Sequence, residues 1–243
     1  MKTRALLAQA RVELLLTLRR SESLLVTLGI PIGILVFFAE VSGISDIKDP
    51  VQFLVPGILA LAVMSTAMVS LGIATGYERH YGVLKRLGST PLSRSGLLAA
   101  KTLNVLAIEV LQVVVIIVTG LALGWDVSGG LVAAFGLLLL GTVAFAGIGM
   151  LMAGTLRAEA NLALSNGLFL VLLFLGGMAY PLTKLPGGLQ AVAKALPAAP
   201  LAETVRDVVE HGHSFPFGLF AVLVAWAVVA PIAAARWFRW EEE

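Results

Sequence analysis

Few residues in this chain are of a type that could do chemistry within an apolar environment, and Glu109 is the clearest of them. It lies near the middle of a long apolar run. A charged side chain at the centre of a bilayer costs about 2.5–3.5 kcal/mol to insert. We therefore expect Glu109 to face protein or water, or to be protonated, and to contribute to a transport path or a subunit contact. Pairing with Gln112 or Asn104, or a shallower position, is the alternative.

Asparagines near the start of a later apolar run form a second candidate group. Asn161 and Ser165 are four residues apart and share a helix face, and Asn166 follows directly. Such side chains hydrogen-bond to neighbouring helices and contribute about 0.6 kcal/mol each in a membrane. Helix packing is the favoured interpretation. Asn161 and Asn166 remain candidates for the transport path or a subunit contact.

The basic interval from Glu78 to Lys101 is the third candidate. Its first half predicts a short helix with an apolar cluster between charged flanks, and Pro91 disfavours helix at the residue before it. Such a helix suits docking to a soluble partner, because apolar side chains enter a cleft while charges select the partner. A positive loop that fixes topology and touches anionic lipid is the alternative. The candidate docking residues are Glu78, Arg79, Gly82, Leu84, Lys85, Arg86, Leu87, Thr90 and Pro91.

The composition predicts an integral membrane protein. Apolar residues make up 58% of the 243 positions and charged residues 13%, against about 25% charged in soluble domains. Mean hydropathy is +0.95. We predict an all-α fold, a single transmembrane domain over 1–243, in which residues 1–22 form an amphipathic interfacial helix or an ordinary extension of the first span. The predicted spans are 23–43, 51–76, 96–123, 130–154, 162–179 and 215–236.

Charge distribution predicts the orientation of these spans. Six spans place both termini and the 77–95 loop on one side, which holds all of the 17 Lys and Arg residues except four. Those four are Lys48, Lys184, Lys194 and Arg206. Since cytoplasmic loops carry an excess of Lys and Arg, both termini and the 77–95 loop should be cytoplasmic. The near-neutral net charge of +2 suggests no nucleic-acid partner.

The outer segment 180–214 is punctuated by prolines and contains two short helical patterns, 188–196 and 201–210. In the second, valines and Leu201 fall on one side, whereas Glu203, Arg206, Asp207 and Glu210 fall largely on the other. We expect short helices that dip into the outer interface in a re-entrant manner. A plain surface loop is the alternative.

No enzyme site is predicted. The spans contain no paired acids, no nucleophile with a base and no cysteine, and His211 with His213 lacks a firm third metal ligand. The sequence has no P-loop pattern, and no polar interval long enough for a nucleotide-binding domain. The chain should therefore use an energy source that it does not supply itself.

The loop and its surroundings resemble the ABC-2 type permeases, the membrane subunits of ABC exporters that include the daunorubicin-resistance type. The resemblance is carried by Glu78-Arg79, Gly82, Leu84 to Leu87, Thr90-Pro91-Leu92 and Lys101. The basic N-terminal helix, the six spans and Pro181-Leu182 after the fifth span are similar to that family as well.

The resemblance implies a mechanism and partners. The 77–95 loop would be a coupling helix that contacts a separate cytoplasmic ABC ATPase, and that ATPase, not this chain, would bind ATP and magnesium. A second permease subunit, identical or homologous, would complete the exporter in a bacterial or archaeal cell membrane, among membrane lipid. The substrate would be a lipid, a drug-like molecule or a glycan. An ion-gradient-driven transporter or channel, or a membrane scaffold without transport activity, is the alternative.

Overall fold

The computed structural model describes residues 29, 31–37, 49–84, 94–210 and 215–239, with the backbone alone for 94–99. These residues form helices and connecting turns, and no strand occurs among them. The predicted interfacial segment 1–22 lies outside the described residues. Of the predicted first span, 23–43, residues 31–37 are helical, so the count of six spans stays a prediction.

The described helices begin with one long helix that contains a change of winding. Helix α1 (Pro50–Val63) and helix α2 (Leu71–His80) are joined by a π-helical segment, Met64–Ser70. The other helices are α3 (Arg94–Ala122), α4 (Leu131–Thr155), α5 (Ala158–Leu175), α6 (Gly187–Ala195), α7 (Ala198–Val209) and α8 (Phe217–Trp237), with a 3-10 turn at Leu182–Lys184.

Five of the described helices are long and apolar enough to cross a membrane. They are Pro50–His80, Ala100–Ala122, Leu131–Thr155, Ala158–Leu175 and Phe217–Trp237. These spans agree with the second to sixth predicted spans to within a few residues. An all-helical membrane protein is therefore confirmed.

The two ends of the bundle differ in charge. At one end the helix termini near residues 80, 100, 156 and 237 meet, and Arg239 N donates to Gly154 O at 3.0 Å. We call this the basic end, because Arg79, Lys101, Arg157, Arg236 and Arg239 lie there. The described cations of the opposite end are Lys184, Lys194 and Arg206.

Helix α1 forms the centre of the bundle. Every residue from Leu54 to Val63 is buried, as expected for a helix that is apolar on all sides. The α1–α2 helix has 31 residues, which corresponds to about 46 Å at 1.5 Å per residue. A hydrocarbon core is about 30 Å thick, so the polar end of α2 extends beyond it.

Helix α7 fills the space between α1, α4 and α8 at the opposite end. Its buried residues include Leu201, Ala202, Thr204 and Val205. The predicted polar face of this segment is partly wrong, because Arg206 is only 7% exposed. The helix is thus part of the core, and a plain surface loop does not describe it.

Candidate functional site

The root of the 77–95 loop is fastened to helix α3. Lys101 Nζ lies 2.6 Å from Glu78 Oε2 and 2.8 Å from Glu78 Oε1, so the ammonium group is held by both carboxylate oxygens. The Lys101 side chain is 5% exposed and that of Glu78 is 25% exposed. An ion pair so shielded is screened much less by salt than a surface pair. The two ends of the loop are thereby held together.

Arg79 fastens the same root to a second place. It is 5% exposed, and its Nη2 donates to the carbonyl oxygen of Leu156, in the turn between α4 and α5. A guanidinium bond to a carbonyl is a charge-assisted hydrogen bond and therefore stronger than a neutral one. The end of α2 is consequently bonded both to α3 and to the α4–α5 turn.

Beyond this root the described part of the loop exposes a small surface. Gly82 has φ +67°, a left-handed conformation typical of the residue after a helix C-terminus. Tyr81 is 67% exposed and Val83 36% exposed, whereas Leu84 is 2% exposed. Leu84 therefore packs within this chain, and Tyr81 and Val83 are the apolar side chains that the described loop presents. The other predicted docking residues, Lys85, Arg86, Leu87, Thr90 and Pro91, lie outside the described residues.

Glu109 forms a polar contact between α3 and α4. It is 5% exposed, and Thr142 Oγ1 lies 2.7 Å from its Oε2. The same hydroxyl lies 2.9 Å from the carbonyl oxygen of Leu138. One turn further along α3, Thr66 Oγ1 in the π-helical segment donates to Gln112 Oε1 at 2.9 Å. Two buried polar contacts thus join α3 to its neighbours in mid-bundle.

Asn161 joins α5 to α2 through a contact that requires glycine. Its Nδ2 donates to Gly72 O at 2.9 Å, and Ser165 Oγ donates to its Oδ1 at 3.3 Å. A Cβ on Gly76 would lie 2.5 Å from Asn161 Nδ2. The amide group therefore occupies the space that a side chain at position 76 would take, a geometry consistent with the packing interpretation.

Asn166 has different surroundings. It is exposed, and its Nδ2 donates to Leu162 O of its own helix at 2.8 Å. Among the described residues no printed hydrogen bond joins Glu109, Asn161 and Asn166. The structure thus distributes these three candidates over separate contacts, and the role of each in transport stays a prediction.

We predict that Gly76→Ala lowers the free energy of unfolding by about 1–3 kcal/mol, because the added methyl group overpacks the contact with Asn161. Asn161→Ala removes the clashing amide. The double variant should therefore be more stable than the sum of the two single effects allows. Unfolding titrations in mixed detergent micelles measure all three variants. Additive effects would show that the two positions do not interact.

In the described residues no group of three or more His, Asp or Glu side chains could hold a metal ion. His211 and His213 lie outside them.

Comparison with known proteins decides the family. A model described as ABC-2 type transporter matches residues 4–209. The chain belongs to the ABC-2 type transporter family. A protein of Bacillus subtilis (strain 168), described as "Putative transport permease YvfS", is 26% identical over 214 residues, which cover 84% of this chain and 85% of that protein. The resemblance that the sequence suggested is thereby confirmed, and the chain is a membrane transport permease.

Sequence reasoning missed one polar centre of this ABC-2 permease, at the opposite end of the bundle. Arg206 Nη1 lies 2.5 Å from Glu203 Oε1, and its Nη2 donates to Gly177 O at 2.9 Å and to Phe53 O at 3.3 Å. Its Cζ lies 4.0 Å from the centre of the Phe53 ring. One guanidinium group thus connects α7, the start of α1 and the residues after α5. The apolar spacing around Arg206 in the sequence was the signal for its burial.

Proposed function

We propose that this permease is the membrane-spanning subunit of an ATP-driven exporter that moves a lipid, a drug-like molecule or a glycan outward. A separate cytoplasmic ABC ATPase would bind ATP and magnesium and would contact the 78–91 loop. A second permease subunit, either the same chain or a homologue, would complete the transport path. The relative named above is described as a transport permease, which supports the transport part of this proposal.

The observation that carries the proposal is the double attachment of the loop root. Glu78 is bonded to α3 through Lys101, and Arg79 is bonded to the α4–α5 turn. A displacement of the loop would therefore move three spans and the turn between two of them at once. A loop that only fixed topology would not need buried charged bonds of this kind, since Lys and Arg in solvent serve that purpose. This attachment favours force transmission from a soluble partner.

Location and orientation follow from the charge asymmetry. The basic end carries most of the described cations, and cytoplasmic loops are enriched in them. We therefore place the basic end, with both termini, in the cytoplasm and the α6–α7 segment outside, with the chain in the cell membrane. The ATPase would then bind where α2 extends beyond the hydrocarbon core.

A substitution at the exposed loop surface tests the coupling. We expect Val83→Asp to lower ATPase retention and transport about tenfold, since a buried valine contact contributes about 1.5 kcal/mol. Val83 is preferable to Leu84 for this test, because Leu84 is buried within the chain and an acidic residue there would disturb folding. The measurement is ATP hydrolysis and substrate efflux by the complex purified from its native membranes and reconstituted in liposomes.

Val192→Asp is the matched control. Val192 is 50% exposed and lies in α6 at the opposite end, so the same change should leave ATPase binding intact. Full ATPase binding and full transport by Val83→Asp would contradict the assigned docking surface. A permease that moves solute under an ion gradient, without any ATPase, would contradict the proposed energy source.

A further inference from the structure

The carboxyl group of Glu109 has an acceptor that the described residues do not satisfy. Oε1 is buried, and no described residue lies within hydrogen-bond distance of it. Leaving a buried acceptor without a donor is costly, and each such group in a native structure needs an explanation. Glu109 is 5% exposed, so bulk solvent does not supply the donor.

The hydrogen atoms around Thr142 show that Oε1 is an acceptor in either protonation state. The Thr142 hydroxyl has one proton but lies near two acceptors, Leu138 O at 2.9 Å and Glu109 Oε2 at 2.7 Å. A neutral carboxyl completes this set, because Oε2–H donates to Thr142 while Thr142 donates to Leu138. Oε1 is then the carbonyl oxygen, which accepts a hydrogen bond. In the ionised form it accepts as well.

Glu109 lines a narrow cleft between α3 and α4. The other lining residues are apolar: Val63, Leu106, Val110, Val113, Phe135, Leu138 and Leu139. Val63 and Leu138 are buried at its base, whereas Val110 is 46% exposed and Phe135 39% exposed. The cleft therefore opens towards the outside of the bundle, on the surface that α3 and α4 present laterally.

The size and depth of the cleft limit what could enter it. With its open mouth the cleft encloses about 220 Å³, below the 300–1,000 Å³ that are typical of pockets for whole drug-sized ligands. Glu109 is the tenth residue of the 23-residue span Ala100–Ala122, about 14 Å from its start. A group that reaches this depth from the bilayer must be carried by an apolar molecule and must be small.

We propose that Glu109 is a lateral binding site that accepts a hydrogen bond from a hydroxyl or amine group of an otherwise apolar ligand entering from the lipid phase between Val110 and Phe135. The apolar part of the ligand lies against the cleft walls, and its single donor satisfies Oε1. The inference goes beyond the proposed function, because such binding requires neither the ATPase nor nucleotide.

Dicyclohexylcarbodiimide tests this site directly, since it is an apolar reagent that modifies protonated carboxyl groups accessible from the lipid phase. The permease is reconstituted without ATPase into phosphatidylcholine vesicles, and mass spectrometry of the Glu109 peptide measures the labelling rate. Cyclohexanol and cyclohexyl methyl ether are compared as protectants at equal membrane concentration. We expect cyclohexanol to slow labelling about fivefold more than the ether does, as one neutral hydrogen bond implies.

Two variants keep the result interpretable. Val110→Trp narrows the mouth and should slow labelling of Glu109, whereas Val132→Trp, at an 88% exposed position on α4, should not. Absence of labelling in the parent protein would overturn lateral access. Equal protection by the alcohol and the ether would overturn the hydrogen-bonded ligand, because it would show that Oε1 needs no donor from a ligand. Neither outcome depends on whether an ATPase drives transport.

Discussion

Replacing Arg206 with methionine should lower the free energy of unfolding by about 2–4 kcal/mol, because the side chain makes several charge-assisted hydrogen bonds in a buried position. Methionine keeps the apolar length of the side chain and removes the guanidinium group. The carbonyl oxygens of Gly177 and Phe53 then lose a donor, and the Glu203 carboxylate loses its counter-ion. Glu203 is 26% exposed, so water partly compensates, which keeps the loss below that of a fully buried pair.

The measurement is equilibrium unfolding of the purified permease in mixed micelles. Lys194→Met serves as the matched control, since Lys194 is an exposed cation at the same end of the bundle. Arg206→Lys should give an intermediate loss, because an ammonium group keeps the charge but cannot span three acceptors as the planar fork does. A loss for Arg206→Met no larger than that for Lys194→Met would show that the buried contacts do not stabilise the fold.

Gly147→Ala should destabilise the bundle by about 3 kcal/mol or more, at the upper limit of the usual overpacking effect. Gly147 lies where α4 packs on α8, and a Cβ there would be 2.5 Å from Pro231 N and 2.7 Å from Ala230 C. Both atoms belong to the backbone, so no side-chain rotation can relieve the clash. The two helices would have to separate along their interface, with loss of the close contact that small residues permit.

Gly136→Ala is the control for this prediction within the same helix. A Cβ at Gly136 would have no atom within 4 Å, and alanine favours helix over glycine by up to about 1 kcal/mol in solution. This variant should therefore be as stable as the parent protein or slightly more stable. Folding and unfolding titrations of the two variants are compared in the same micelles. Similar stabilities would mean that α4 and α8 can move apart at little cost.

The contacts at the two ends of the α1–α2 helix give the proposed coupling a physical basis. Arg206 bonds to Phe53 near the start of α1, and Arg79 bonds the end of α2 to the α4–α5 turn. The π-helical segment Met64–Ser70 lies between these attachments. Such segments occur frequently at functional positions within helices. Motion of the loop would thus be transmitted along α2 before it reaches the π-helical segment.

The spans were predictable from sequence because each depends on local composition. An apolar run of about 20 residues must be helical in a bilayer, since the backbone can satisfy its own hydrogen bonds there. The predicted 130–154 span and the observed Leu131–Thr155 helix differ by one residue at each end. The two short helices of the 180–214 segment were predictable as well, because prolines precede both Gly187–Ala195 and Ala198–Val209.

The burial of single polar side chains was not predictable in the same way. Arg206 has acidic neighbours in α7, which indicated a solvated face, yet its main acceptors are Gly177 and Phe53, both distant in sequence. Leu84 was expected at an exposed apolar tip and is instead 2% exposed. Both outcomes depend on which helices lie adjacent, and helical periodicity carries no information about that.

The sequence by itself determined that this chain is a helical membrane protein, where its spans lie and which family it resembles. Those properties follow from composition, run length and short motifs. The tertiary structure alone decided that Glu109 meets Thr142, that Asn161 packs where Gly76 lacks a side chain and that Lys101 closes the loop on Glu78. Each of these contacts joins two helices, and its energy depends on distances that only the packed bundle fixes.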